Sequence, residues 1–322
     1  MRKHWTTLLK LGVTLAGLAL VLTRFDLGRI LIAVQQAAPL WLFAGFTLVN
    51  ASLVLRAYRW LLLVRGLGAV VPFRRLVELY FVGSFFNAFL PSGFGGDVVR
   101  VLEIAQNVPS SIAAGTVLLD RLTGLIMLFA LALFALPFRA SGFPAELAGG
   151  IAVICVVGLF GGFILLEGSL LRRVVGWLPA RLANAGDGFL SRFSEAVEQC
   201  GRRAIVGALA VSIAFNLLQA VWWYTTGLAL GYEIDYVYYL LVVPVLSLML
   251  ILPSIGGLGV REVAAPLLFA PAGLSPEQAI ALTLVVFGLE RLSGLLGGLL
   301  YLYAIVRDRT RQTETTGPVK RP

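Results

Sequence analysis

The residues in this sequence best placed for chemistry are two acid–arginine pairs set in apolar surroundings. Asp120-Arg121 lies in Leu119-Asp120-Arg121-Leu122-Thr123-Gly124-Leu125, and Glu290-Arg291 lies in Leu289-Glu290-Arg291-Leu292-Ser293-Gly294-Leu295. Five of the seven positions are identical; the other two exchange Asp for Glu and Thr for Ser. An ionisable side chain at the centre of a hydrocarbon core costs about 3 kcal/mol even on the lenient insertion scale. Asp120 falls roughly 8–10 residues into its apolar stretch, or about 12–15 Å at the helical rise, and Glu290 is expected at a comparable depth. Both pairs are therefore expected near the middle of a membrane, facing an interior or a watery cavity. Sequence neighbours on a helix point about 100° apart, so Asp120 does not simply neutralise Arg121. Each charge needs another partner, and Asp97, Arg100, Arg261 and Glu262 are the candidates. A buried network that only clamps two halves together would use the same residues.

Each pair follows a break rich in proline and glycine. Leu90-Pro91-Ser92-Gly93-Phe94-Gly95-Gly96-Asp97-Val98-Val99-Arg100 is echoed by Leu252-Pro253-Ser254-Ile255-Gly256-Gly257-Leu258-Gly259-Val260-Arg261-Glu262. Each break follows an apolar arm, Leu76–Phe89 and Tyr238–Ile251. Break and charged pair recur in the same order, which points to an internal duplication. Pro91, Gly95 and Gly96, like Pro253, Gly256, Gly257 and Gly259, interrupt any helix. A helix that restarts after such a break presents free backbone N–H groups and the positive end of its dipole, which attract phosphate. Arginine beside that start adds a planar fork of donors suited to phosphate oxygens. The bland alternative is that the glycines permit close helix packing, as Gly294, Gly297 and Gly298 are read to do.

These motifs sit in a chain of 322 residues that is 59% hydrophobic and only 13% charged, with a mean hydropathy of +0.90. A soluble domain of this size would carry about 25% charged residues. Apolar spans recur at 5–23, 39–64, 112–138, 147–166, 204–230 and 279–306. They are continuous rather than alternating, which predicts an all-α polytopic membrane protein and not a barrel. The net charge of +9 is read as arginine and lysine gathered on the cytoplasmic side, not as a nucleic-acid surface. Cys155 and Cys200 have no neighbouring cysteine or histidine, so neither a disulfide framework nor a metal site is expected.

Loop charge sets the topology. Arg56, Arg59, Trp60 and Arg65 mark a cytoplasmic exit from the second span, and Arg74 and Arg75 keep the next connection inside. Arg172, Arg173, Arg181, Arg192, Arg202 and Arg203 place the loop after the fourth span inside as well. Within that loop Phe189, Leu190, Phe193, Ala196, Val197 and Cys200 recur at helical spacing, as in an amphipathic surface helix or a partner-binding helix. Residues 26–38 are read as an interfacial helix on the outer side. If both broken stretches crossed fully, the arginine-rich loop would lie outside. Six spans with two re-entrant helix pairs satisfy every loop, with both termini cytoplasmic in the inner membrane. The halves, about 40–138 and 204–306, are then inverted repeats of one domain, 1–306, followed by a disordered tail, 307–322.

An enzymatic reading finds no G-x-S-x-G elbow, Walker loop, H-E-x-x-H or D-x-D motif. Glu233-Ile234-Asp235 is an acidic pair of the kind a lipid-phosphate glycosyltransferase could use, but an ordinary acidic outer loop is the preferred reading. No catalytic residue and no cofactor is assigned.

The chain resembles the flippase-like transmembrane domain of lysylphosphatidylglycerol synthases, the multiple peptide resistance factors, and their stand-alone relatives. The resemblance is carried by Leu90-Pro91 with Gly95-Gly96-Asp97 and Arg100, by Asp120-Arg121, and by Leu252-Pro253 with Gly256-Gly257-Leu258-Gly259-Val260-Arg261-Glu262. It covers roughly residues 10–306. It implies translocation of an anionic phospholipid or a polyprenyl-phosphate-linked lipid, with Asp97, Arg100, Asp120, Arg121, Arg261, Glu262, Glu290 and Arg291 lining the polar pathway. No aminoacyltransferase domain follows the last span, so lysyl-lipid synthesis is not expected. The alternative is a non-transporting subunit of a glycosyltransferase or lipid-modifying system. A glycosyltransferase and a second copy of the chain are the protein partners considered.

Overall fold

The computed structural model describes residues 26–89, 95–106, 108–139, 143–167, 193–249 and 257–315, together with Leu15, Thr23 and Ser254. The first expected span, 5–23, and both hairpin tips fall almost wholly outside them. The described residues are helical, without a strand. In chain order the helices are α1 (Leu27–Gln35), α2 (Pro39–Gly66), α3 (Phe73–Phe89), α4 (Gly95–Ile104), α5 (Ser110–Ala135), α6 (Ala145–Leu166), α7 (Arg202–Ala229), α8 (Tyr236–Leu248), α9 (Val260–Phe269) and α10 (Pro276–Thr315). Residues 193–200 form a further helical segment.

Among the described residues, five stretches are long and apolar enough to cross a membrane: Pro39–Gly66, Ile112–Phe138, Ala145–Leu166, Arg202–Ala229 and Pro276–Tyr303. They match the second to sixth expected spans. At 1.5 Å per residue, α2 is about 42 Å long, ample for a core of about 30 Å. Val153, Val156, Val157, Phe160 and Phe163 of α6 are exposed, which only an apolar solvent tolerates on one helix. The protein is an all-α, multi-pass membrane protein.

Packing sets the direction of each helix. The amide of Ala38 donates to the carbonyl of Ala229 at 2.7 Å, while Gly66 at the other end of α2 abuts Cys200 and Ala204. The helices before the two broken stretches, α2 and α7, are therefore antiparallel. α10 runs with α2, because Gly45 faces Leu289 and Ser293 donates to Asn50 at 2.9 Å. α5 runs against α2, its Ala113 clustering with Val64 and its Phe129 with Val49.

Both broken stretches fold as helical hairpins. α4 returns along α3: the amide of Gly96 donates to Asn87 Oδ1 at 2.8 Å, and Arg75 near the entry pairs with Glu103 near the exit at 2.7 Å. The two backbones touch, since a Cβ on Gly96 would overlap the carbonyl of Gly83. In the second hairpin Tyr238, near the start of α8, donates to the carbonyl of Leu268 near the end of α9. Asp235 caps α8 by accepting from the Val237 amide at 2.7 Å, which gives this acid of the Glu233-Ile234-Asp235 loop a structural task. The first hairpin opens from the Gly66 end of the bundle and the second from the Ala38 end. The halves are thus inverted, as the loop charges imply.

Two details differ from expectation. Arg59 and Trp60 do not mark an exit; they are buried. α10 stays helical to Thr315, so the first part of the segment 307–322, expected to be disordered, is helix. Cys200 is also buried: the segment 193–200 lays Phe193, Ala196, Val197 and Cys200 against Leu63, Leu67, Leu119 and Ala208. Burial pushes its thiol up to about 11. Only the thiolate reacts rapidly, and a raised pKa leaves little thiolate at neutral pH. Maleimide at pH 7.5 is expected to leave Cys200 unmodified in the native protein and to label it after denaturation, with the native rate rising towards pH 11. Fast labelling of Cys200 in the native protein at pH 7.5 would contradict this packing.

Candidate functional site

The carboxylate of Asp120 on α5 is the centre of the best-connected polar site. It accepts from Arg59 Nε at 2.7 Å, from Arg100 at 2.9 Å and from the Tyr80 hydroxyl. Four elements thereby converge, because Arg59 comes from α2, Tyr80 from α3 and Arg100 from α4. Arg59 also donates to Ser212 of α7 at 3.1 Å. Gly124, one turn beyond Asp120, makes room for the guanidinium: a Cβ there would stand 2.6 Å from an Arg59 nitrogen.

Arg100 continues the chain of charges outward. It lies 3.5 Å from Asp97 in the first turn of α4, and the other oxygen of Asp97 pairs with Arg121. The Arg100 guanidinium is sandwiched over aromatic faces, 4.1 Å from the centroid of Trp60 and 3.9 Å from that of Tyr80. Such contacts fix its plane while leaving its edge for anions. Asp97, in the first turn of α4, sits where a helix dipole favours negative charge.

The second hairpin carries a smaller counterpart. Arg261 on α9 pairs with Glu290 on α10 at 3.2 Å. Glu262 is buried, and its Oε2 accepts the Gly259 amide at 2.7 Å. Gly259 has φ 86°, a conformation that side-chain-bearing residues rarely adopt. Glycine offers no side-chain oxygen, so only the Glu262 half of a capping box is made. The run Gly259-Val260-Arg261-Glu262 is thus first a helix start. Arg291 lies 4.2 Å over the ring of Phe287.

The eight sequence-assigned residues are not brought into one place. Asp97, Arg100, Asp120 and Arg121 form one cluster, and Arg261, Glu262, Glu290 and Arg291 the other. Asp120 meets α2 at Arg59, whereas Leu289, beside Glu290, meets it at Gly45. The two sites are separated along the bundle by on the order of 15–20 Å. The two pairs thus stand at different levels along the bundle, as inversion of the halves requires. Of the break residues, Gly96 and Gly259 have the structural tasks above and Gly257 has φ 85°. Gly95 begins α4. Pro91, Pro253 and Gly256 lie outside the described residues. Gly294, Gly297 and Gly298 let α10 pack on Ala88, Phe81 and Phe85 of α3, as the packing reading required. Arg56, Arg59, Tyr80 and Ser212 were not anticipated. The one available signal was Arg56 and Arg59 at helical spacing within a long apolar helix.

Residues 7–298 match the family described as the lysylphosphatidylglycerol synthase TM region. The chain belongs to this family. A relative in Methanothermobacter thermautotrophicus, a UPF0104 membrane protein, is 26% identical, covering 80% of this chain and 81% of its own. A second UPF0104 membrane protein of that organism is 23% identical over 88% of this chain and 90% of its own. The similarity to those relatives runs over most of both chains rather than over one motif.

Removing one partner of a buried ion pair strands the other charge, typically at about 3–5 kcal/mol. Asp120→Asn leaves both Arg59 and Arg100 underpaired, and is expected to destabilise the detergent-solubilised protein by that order. Glu290→Gln loses a single contact at a carboxylate that is 25% exposed, and should cost clearly less. Thermal unfolding of the two variants side by side checks the order; equal losses would show that Asp120 is not the site's anchor.

Proposed function

We propose that the protein translocates an anionic lipid between membrane leaflets, with the headgroup phosphate read by the arginines of the first hairpin. The observation that carries this reading is Arg100, held inside a membrane protein between two carboxylates and two aromatic faces. A guanidinium so held is preorganised for an anion and can exchange one carboxylate for a phosphate without leaving its place. Two hairpins entering from opposite ends supply the pseudo-symmetric frame on which alternating access is built in many transporters. Membership of a family named for a lipid synthase supports a lipid as cargo, either an anionic phospholipid or a polyprenyl-phosphate-linked lipid.

Orientation follows from charge. The Gly66 end of the bundle carries Arg65, Arg74, Arg75, Arg202 and Arg203, and the Ala38 end Arg29 and Arg139. Acids stand at both: Glu78, Glu103, Glu167, Glu195 and Glu198 at the first, Asp26, Glu146, Glu233, Asp235 and Glu277 at the second. Arginine and lysine, not net charge, set orientation, so the arginine-richer end is read as cytoplasmic, in a cell inner membrane, with both termini on that side. The role is one of recognition rather than bond chemistry: Asp97, Asp120 and Glu290 each engage an arginine, and Glu262 caps a helix.

The test is reconstitution into vesicles containing a fluorescent anionic phospholipid, with a membrane-impermeant quencher reporting exchange between leaflets. The wild-type protein is expected to accelerate exchange above protein-free vesicles. Arg100→Lys keeps the charge but loses the planar fork, and should slow exchange by about tenfold. Exchange no faster than in protein-free vesicles would remove the transport reading, and a partner-dependent transferase activity without exchange would put the accessory-subunit reading in its place.

A further inference from the structure

The cluster at the first hairpin carries more positive than negative charge, and the surplus indicates a ligand class. Arg56, Arg59, Arg100 and Arg121 stand there against Asp97 and Asp120, four cations to two anions, a formal balance of +2 among the described residues. Arg56 lies beside the others with its guanidinium 5.6 Å from the Tyr80 ring centroid and 5.0 Å from that of Phe215. Its Nε is buried without a hydrogen-bond partner. Arginine does not escape burial by losing its proton, and aromatic faces offset only part of the cost of an unpaired cation. The second hairpin shows that the surplus is not a property of the architecture. Its four residues, Arg261, Arg291, Glu262 and Glu290, sum to zero.

The cluster reaches the surface on one side. Side-chain exposure falls from 41% at Arg121 to 12% at Asp97, then to 5% at Arg100 and 1% at Asp120. The anions also differ in depth and partners. Asp120 is held at the buried end by Arg59 at 2.7 Å and Arg100 at 2.9 Å, whereas Asp97 pairs with the 41% exposed Arg121 and stands 3.5 Å from Arg100. Asp97 is the anion whose contact with Arg100 an entering phosphate can take over, while the carboxylate itself, fixed in the first turn of α4, stays in the cluster and in its charge balance. Asp120 keeps its contacts.

We infer that this site takes a doubly charged phosphate, the phosphomonoester end of a lipid, in preference to a singly charged phosphodiester. The inference rests on the lipid-translocation reading and narrows its cargo. A phosphomonoester carries about −1.5 to −2 charges at pH 7 and three acceptor oxygens, its second ionisation lying near pH 6. A dianion cancels the surplus of +2, and its third oxygen can reach the unmet donor of Arg56 while the others face Arg100 and Arg121. A diester, with one charge and two free oxygens, leaves one cation unbalanced.

The experiment uses the full chain in nanodiscs of neutral phosphatidylcholine. The discs carry either phosphatidic acid, a polyprenyl monophosphate, or phosphatidylglycerol as the diester; a fourth set has lipid-free glycerol 3-phosphate added to the buffer. Apparent affinity is read from the concentration dependence of the melting temperature. Both monoester lipids are expected to bind about tenfold tighter than the diester at pH 8, the scale of one further charge-assisted hydrogen bond. That preference should shrink at pH 5, where the monoester has lost its second charge. Arg56→Gln should abolish the preference, and the comparison on the unaltered protein stands even if that variant does not fold. Equal affinity for monoester and diester, or a preference indifferent to pH, overturns the inference while leaving anionic-lipid translocation in place. No response to any of the lipids and no leaflet exchange removes the broader reading too. A response to glycerol 3-phosphate matching that to the lipids keeps the phosphomonoester assignment but assigns it to a soluble source.

Discussion

A carboxylate sealed inside a membrane protein must be answered by cations or hydrogen-bond donors, and the first half of this structure is arranged around meeting that demand at Asp120. Its donors come from α2, α3 and α4, and it sits on α5 itself. No two of these helices could shift appreciably without stranding a charge, at a cost comparable to a large part of a domain's net stability. The polar site is therefore also a mechanical joint. Clamp and binding site, weighed as alternatives from the sequence, are compatible roles for the same residues.

The joint depends on close backbone approach as much as on charge. Arg100 can reach Asp120 because α4 lies against α3 with Gly96 on Gly83. Arg59 can reach it because Gly124 leaves space beside the helix. In a bilayer there is no hydrophobic gain from burying one apolar helix face against another, so such small-residue contacts and the polar bonds they permit account for much of the association. The glycines are not an alternative to the phosphate-site reading; close packing is what brings the arginines into range.

Inversion makes the two halves alike in plan and unlike in charge. Each half contributes an antiparallel hairpin, a glycine-permitted helix start and an acid–arginine pair on the following long helix. Only the first half recruits extra arginines from a neighbouring span. The asymmetry lies in α2, which carries Arg56 and Arg59, where α7, at the level of Gly45 and Leu289 beside the second pair, offers Thr225 and Thr226.

The helical membrane class, the spans at 39–64, 112–138, 147–166, 204–230 and 279–306, the hairpins and their inversion were all legible in the sequence. They follow from local rules: apolar length measured against the bilayer, helix breaking by proline and glycine, and arginine counted loop by loop. Pairing within each motif family was partly legible, since the search for partners of Asp120 and Arg121 already named Arg100 and Asp97. The burial of Arg59, and of the Nε of the half-buried Arg56, was not. A helix of 28 residues exceeds the hydrocarbon thickness by about eight residues, and nothing local says at which end the excess lies. Tyr80 and Ser212 were equally silent, because a hydroxyl in an apolar helix gains its role only from what stands opposite. Sequence periodicity determines what each helix is; which side chains meet across helices is decided by packing direction and depth, and those exist only once the bundle is assembled.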